Sequence, residues 1–421
     1  MKTSSYSGFY KLSPEQRLLE VAEFAGLTPE EQTVLSDPGS LALSQADHMV
    51  ENVIGRFSMP LGVGLNFLVN GRDYVVPMVV EEPSVIAAAS NAAKMVRETG
   101  GFLASDTGSI MIAQVQLVDI PDPNFAKMKI YEQREMIIRL CNEKDPVLVS
   151  LGGGMIDLDV RVIPSRIGEM VVVHLKVNTL DAMGANAVNT MAEAIAPHLE
   201  QITGGVSYLR ILSNLAVHRL VRVRAKVKKE TLGGEEVVKK LLIGHAFAEA
   251  DSYRSTTHNK GIMNGVTPVV LATGNDTRAI ESGAHSYAAR NGRYGSLVTW
   301  EEDKEGDLCG TLEMPMAVGL VGGATMVHPG AKTAVKILGV KTAAELGYVI
   351  VSVGLATSLA SLRALATEGI QRGHMALHAR NLAAVAGASG EVLDKVVAQM
   401  VSERNVRQEY ARELVKKYGA R

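Results

Sequence analysis

Cysteine is nearly absent. Cys141 and Cys309 are the only two in 421 residues, too few for a disulfide framework and not spaced as metal ligands. That excludes a stapled secreted module and predicts a reducing, cytoplasmic setting. Charge of one sign is missing too: 43 basic residues face 45 acidic ones, so no global field recruits nucleic acid or an anionic membrane. An anionic ligand would have to be met locally. No GxGxxG follows a strand-like run, which excludes a dinucleotide held in the Rossmann manner. No HExxH occurs, and His374 and His378, four residues apart, have no accompanying carboxylate on their segment, so no metal site is expected. The one long uncharged run, Leu346 to Leu362, is diluted by Gly347, Ser352, Gly354, Thr357, Ser358 and Ser361 and reads as a buried helix rather than a membrane span. The stretch Met1 to Ser7 carries no apolar core of a signal peptide, so no export is expected.

What is present is an ordinary globular composition, 47% hydrophobic, with enough chain for two or three domains. Ser13-Pro14-Glu15-Gln16 and Thr28-Pro29-Glu30-Glu31 each announce a short helix with a capping box and proline at its first position. From Leu43 to Arg56 the residues Ala46, Met49, Val50, Val53 and Ile54 recur at helical spacing, predicting a helix with one buried stripe. Asn70-Gly71 between alternating apolar runs predicts a hairpin, and alanine-rich Val85 to Glu98 a helix ending at Gly100-Gly101.

From Ser109 the alternation tightens. Strands are expected at Ile110–Ile120, Met155–Ile163, Met170–Val177 and Val206–Leu212, and helices at Phe125–Asn142 and Gly184–Ile202. The order βαββαβ is the ferredoxin-like motif. The fold class is therefore α+β: a large α/β domain, 1–108 and 215–373, with a ferredoxin-like domain inserted at 109–214. A C-terminal helical flap follows at 374–421, broken at Gly387-Ala388-Ser389-Gly390. Small residues from Val318 to Ala324 permit backbone to pack on backbone.

Chemistry is suggested first by Lys260. Between Arg254 and Asp276 it is the only formal charge, in a run rich in Gly, Asn and Thr that reads as a loop. An isolated cation in such company is costly to bury unless paired, and Asp276 is the nearest carboxylate downstream. Glu81-Glu82-Pro83-Ser84 sets two carboxylates at a strand end before a helix, where the dipole favours them. One turned inward would have a raised pKa and become a proton donor. Asp181-Ala182-Met183-Gly184-Ala185-Asn186 opens a helix with small residues, a place where a pyrophosphate can reach backbone N–H groups. Gly152-Gly153-Gly154 offers similar chemistry but reads as a tight turn before a strand.

Together, Glu51-Asn52-Val53-Ile54-Gly55, Glu82-Pro83-Ser84, Asp181 to Asn186, His258-Asn259-Lys260-Gly261, Gly274-Asn275-Asp276 and Gly373-His374 resemble the 3-hydroxy-3-methylglutaryl-CoA (HMG-CoA) reductase family, in its soluble class II form. The resemblance covers nearly the whole chain. It implies interconversion of HMG-CoA with mevalonate and CoA by two hydride transfers, through a mevaldyl-CoA hemithioacetal and mevaldehyde. Lys260 matches the lysine that stabilises the oxyanion. Glu82 matches the glutamate that protonates the aldehyde oxygen, Asp276 the aspartate that links lysine and glutamate, and His374 the histidine that protonates the departing thiolate. Ser84, Arg254, Asn264 and Asn214 match substrate-binding positions, an arginine fork suiting a carboxylate. Asp181, Met183, Gly184, Ala185 and Asn186 match the cofactor-binding turn. Asp145 matches an acidic residue that accepts a ribose 2′-hydroxyl and repels a 2′-phosphate, which implies NAD(H) as preferred cofactor, with NADP(H) left open by neighbouring Lys144. The segment Glu51 to Gly55 resembles the family's dimer interface, implying a homodimer or oligomer of dimers with active sites between subunits. On the residues alone two other classes compete: a Schiff-base lysine enzyme and a non-catalytic CoA or nucleotide sensor, for which the full set Glu82, Lys260, Asp276 and His374 would be superfluous.

Overall fold

Asn70 and Gly71 both take positive φ, 48° and 77°, and turn the chain between β1 (Leu61–Val69) and β2 (Arg72–Val79) as a two-residue hairpin requires. The structure, a computed structural model, describes residues 3–37, 40–367 and 369–419, with the side chains of 370–377 outside the description. The helix Val85–Arg97 lays Ala89, Ala92, Ala93 and Val96 into the core, near the stacked rings of Phe67 and Phe102, whose centroids are 5.8 Å apart.

After β3 (Leu103–Asp106) come β4 (Ile110–Val118), β5 (Gly154–Ser165), β6 (Gly168–Asn178) and β7 (Val206–Ser213). The last four form an antiparallel sheet in the order β5-β6-β4-β7, with the helices Pro123–Glu132, Arg134–Asn142 and Ala185–Thr203 packed on it. This is the expected ferredoxin-like arrangement. The chain then returns to β8 (Leu220–Val227), which pairs with β3, Leu103 opposite Arg224 and Asp106 opposite Val221. Two adjacent strands of one sheet thus enclose the whole smaller sheet between them in sequence. With β9 (Val298–Glu302) and β10 (Leu308–Pro315) the larger sheet runs β3-β8-β10-β9.

The helix Ala343–Ala366 is the only one among the described residues long and apolar enough to cross a membrane, and it runs through the core. Beyond it Ile370–Val385, Gly390–Ser402 and Gln408–Gly419 share a separate small core that includes Ala383, Val396, Met400, Ala411 and Leu414.

Two expectations are corrected. The helix expected over 43–56 stops at Met49. Asn52 turns left-handed, at φ 57°, and Ile54 and Phe57 are fully exposed; the spacing was helical, but of the expected stripe only Ala46 is buried among the described residues, and Val50 and Ile54 lie open. The segment expected to be a loop around Lys260 is part of a long helix, Ser252–Ala272, capped by the Asp251 carboxylate on the Arg254 N–H. Gly265 is there for packing. A Cβ on Gly265 would lie 2.6 Å from the Val353 carbonyl oxygen, and one on Gly354 2.8 Å from the Val266 side chain, so only glycine lets this helix cross Ala343–Ala366 at close range.

Candidate active site

The strand β2 delivers Glu82 to the side of the Ser252–Ala272 helix, where the Lys260 ammonium donates to Glu82 Oε2 at 2.8 Å. The answer to the isolated lysine is therefore Glu82, not Asp276. Both line a cavity of about 380 Å³ with Ser84, Arg254, Thr257, His258, Asn264, Thr357 and Ser361, within the size range of small-molecule sites. Ser84 holds a left-handed backbone, φ 75°, a strained state for a residue with a side chain, and its Oγ is buried without a hydrogen-bond partner. Arg254 is held below its usual guanidinium value by burial. Two cations, a carboxylate, an amide and unpartnered hydroxyl and imidazole groups thus face one space, suited to a polar, anionic acyl ligand.

A second cavity is lined by Asp145, Ala182, Met183, Gly184, Ala185, Asn186, Gly274, Asn275, Asp276, Gly319, Val321 and Thr325. Gly184 starts the Ala185–Thr203 helix with no side chain capping it, so the cavity wall carries the uncapped start of a long helix, an arrangement able to receive an anion. The Asp145 carboxylate is fixed by the Leu148 N–H at 2.9 Å. Asp276 caps Thr277–Ala288, accepting from the N–H groups of Arg278 and Ala279 and lying 3.2 Å from Arg278 Nε. Burial pushes its carboxyl up, and those hydrogen bonds more than offset this, leaving it below the usual carboxylate value.

The family profile described as hydroxymethylglutaryl-coenzyme A reductase matches residues 13–379. The Archaeoglobus fulgidus 3-hydroxy-3-methylglutaryl-coenzyme A reductase is 57% identical over 415 residues, 99% of this chain and 95% of its own. The chain belongs to the HMG-CoA reductase family. Among solved structures, the Streptococcus pneumoniae 3-hydroxy-3-methylglutaryl-coenzyme A reductase superposes with a TM-score of 0.85 at 40% identity, covering 98% of this chain and 99% of its own. The class II enzyme of the same organism, bound to NADPH in open conformations, gives a TM-score of 0.84 at 41% identity, covering 86% of this chain and 100% of its own. The chain is thus a class II member, an oxidoreductase of the mevalonate pathway using a nicotinamide nucleotide.

Of the residues expected in a reductase site, Glu82, Ser84, Arg254, Lys260 and Asn264 share the first cavity, and Asp145, Met183, Gly184, Ala185, Asn186 and Asp276 the second. His374 falls in the Ile370–Val385 helix, and its side chain lies outside the described residues. Two expected residues are placed elsewhere. The Asp181 carboxylate accepts the Ala343 N–H at 2.7 Å, at the start of the long core helix, where a helix dipole draws a negative group; it fixes the turn rather than facing the cavity. Asn214 is exposed after β7 and lines neither cavity. Its backbone packs on Gly283 of the helix that Asp276 caps.

Three residues with supporting or lining roles were given no role of their own by the sequence reading. Arg219, 4% exposed, sends Nη1 to the Ala182 carbonyl at 2.9 Å and Nη2 to the Val318 carbonyl at 2.6 Å. It ties the cofactor-side turn to the glycine-rich segment, and burial lowers its pKa to about 10. Asn275 accepts the Gly319 N–H at 2.8 Å, and a Cβ on Gly319 would sit 2.5 Å from the Met183 nitrogen, the close approach that the small residues there permit. His258, two residues before the lysine, stands in a motif of the resemblance but was given no role, because a lone histidine carries no spacing signal.

Proposed function

We propose that this chain reduces HMG-CoA to mevalonate and CoA in two hydride transfers, and runs the reverse, with NAD(H) as its preferred cofactor. The observation that carries the reading is the Lys260 to Glu82 contact at 2.8 Å within a cavity that also presents Arg254 and an unpartnered Ser84 hydroxyl. Arg254 holds the substrate carboxylate, with Ser84 and Asn264 on its hydroxyl and carboxyl oxygens. Lys260, turned toward the cavity by its bond to Glu82, donates to the thioester oxygen as negative charge develops there. Glu82, which accepts from the Lys260 ammonium, passes a proton taken from it to the aldehyde oxygen in the second step. His374 protonates the CoA thiolate as it leaves.

A nicotinamide dinucleotide supplies the hydride. The uncapped Ala185–Thr203 helix start suits its pyrophosphate, and Asp145 suits an unphosphorylated adenine ribose through its carboxylate. The Streptococcus pneumoniae relative was solved with NADPH, so cofactor preference within this family is a matter for each chain's own residues.

Asp276 completes the site from a second subunit. In one chain it belongs to the cofactor-side cavity while Lys260 belongs to the other. Exposed Ile54 and Phe57, together with exposed Val321, Met326 and Val327, offer the apolar area that a second copy would cover. Gln45 of the preceding helix donates to the Val327 carbonyl at 2.6 Å, tying the two segments together, and Val321 also borders the cofactor-side cavity. The test is to follow NADH and NADPH absorbance separately with HMG-CoA, then the reverse with mevalonate, CoA and each oxidised cofactor. Turnover with preference for NADH supports the proposal; equal use or NADPH preference removes the Asp145 argument, and no turnover removes the reaction. Borohydride trapping of a covalent adduct at Lys260 would favour the Schiff-base class instead.

A further inference from the structure

The substrate-side cavity holds a polar group that the proposed mechanism does not use. His258 lies one helical turn after Arg254 and two residues before Lys260 on the Ser252–Ala272 helix. It lines the cavity, is 4% exposed, and its Nε2 is buried with no hydrogen-bond partner in the chain. Buried polar atoms are rarely left so, because the lost hydration is not recovered. Its other neighbour does not answer it. The His245 ring packs at 5.8 Å between centroids, tilted by 44°, and the closest carboxylate to His245, Glu249, is 3.4 Å from that residue's own Nε2.

We propose that His258 is a specificity residue of this cavity, its Nε2–H donating to the distal carboxylate of the acyl group that Arg254 holds. The inference rests on the reading of this cavity as the HMG-CoA site. Reacting carbonyl and distal carboxylate lie at opposite ends of the acyl chain, and Lys260 and Arg254 are separated by roughly 9 Å along the helix axis, so the two cations serve the two ends. His258, next to Arg254, falls at the carboxylate end. Burial first, then the neighbouring His245 and Arg254, lower its pKa to about 3, so it stays neutral at physiological pH and acts as a hydrogen-bond donor, not as an acid. A neutral donor beside a guanidinium is selective: it rewards a carboxylate and leaves itself unsatisfied against a methyl group. The pair Arg254 and His258 therefore separates a dicarboxylic monothioester from an ordinary 3-hydroxyacyl thioester.

The test compares HMG-CoA with 3-hydroxy-3-methylbutyryl-CoA, which lacks the distal carboxylate, on the full-length enzyme. His258→Phe should raise the KM for HMG-CoA roughly 10- to 100-fold with little change in kcat, while the inhibition constant of the truncated thioester stays within about 2-fold, since it never made the bond. His258→Gln, which keeps an N–H donor, should recover part of the loss. Equal change for both ligands, or an unchanged KM, overturns the proposal. In 15N-histidine-labelled wild-type protein, the His258 Nε2 resonance should shift with HMG-CoA and not with the truncated thioester; no selective shift overturns it independently of how the variants fold. If the wild-type enzyme does not bind HMG-CoA at all, it is the reading of the cavity that fails.

Discussion

Lys260 and Asp276 are held apart by the C-terminal half of one helix. The lysine sits within Ser252–Ala272 with its amine on Glu82, and the aspartate caps the following helix beyond that one's C-terminal end. The helix between them accounts for roughly 18 Å at 1.5 Å per residue, beyond the reach of two side chains. If one site needs both, two subunits must share it.

Mixing subunits tests this. Lys260→Ala and Asp276→Ala proteins should each be inactive alone. Co-refolded at equal amounts, they should recover roughly a quarter of wild-type activity, because half the dimers are mixed and one of two sites in each is then intact. Failure to recover any activity, with mixed dimers present by native mass spectrometry, would argue against shared sites.

Asp145 has two separable duties, capping the Pro146–Ser150 helix through the Leu148 N–H and presenting charge to the second cavity. Asparagine keeps the cap and removes the charge. Asp145→Asn should therefore improve kcat/KM for NADPH by about 10-fold or more, relative to NADH, as a like-charge penalty is lifted. Thermal stability should hardly move. An unchanged cofactor ratio would place the selectivity elsewhere.

His374→Gln should slow the overall reduction of HMG-CoA by about 100-fold or more and slow reduction of supplied mevaldehyde much less. Only the first sequence has a thiolate to protonate. Equal loss in both assays would contradict the assignment.

Acid should weaken the fold through His258. Its pKa is about 3 in the folded protein against an ordinary 6.5, so the stability is fully present above 6.5 and is lost as pH falls toward 3, where the unfolded chain binds a proton that the folded one excludes. At pH 4.5 the loss is on the order of 2 kcal/mol. His258→Phe should flatten that part of the curve of thermal midpoint against pH, relative to wild type. An unaltered slope would show that His258 is not buried neutral.

Where periodicity and turn chemistry act locally, the sequence was a sufficient guide. Asn70-Gly71 made its hairpin, and the βαββαβ order made its sheet, because the alternation in β4, β5 and β6 matched a face to be buried, while β7 joined at the edge with Tyr208 and Leu209 exposed. The two capping boxes form as written. It misled where a residue's reason lay elsewhere in the fold. Gly265 looked like a loop former and is a helix-crossing residue; Asp181 looked like a ligand and holds a helix start; Val50 and Ile54 after Met49 looked like a helix face and lie open.

The sequence by itself determined the family, the fold class and the kinds of side chain the chemistry needs, since motif identity and hydrophobic period are written in adjacent residues. Only the tertiary structure decided which of them meet. It paired Lys260 with Glu82 rather than Asp276, divided the expected site between two cavities, brought Asn275 and His258 to their walls, and buried Arg219 behind the cofactor-side turn. Such contacts depend on how helices and strands distant in sequence cross, and no local pattern encodes a crossing.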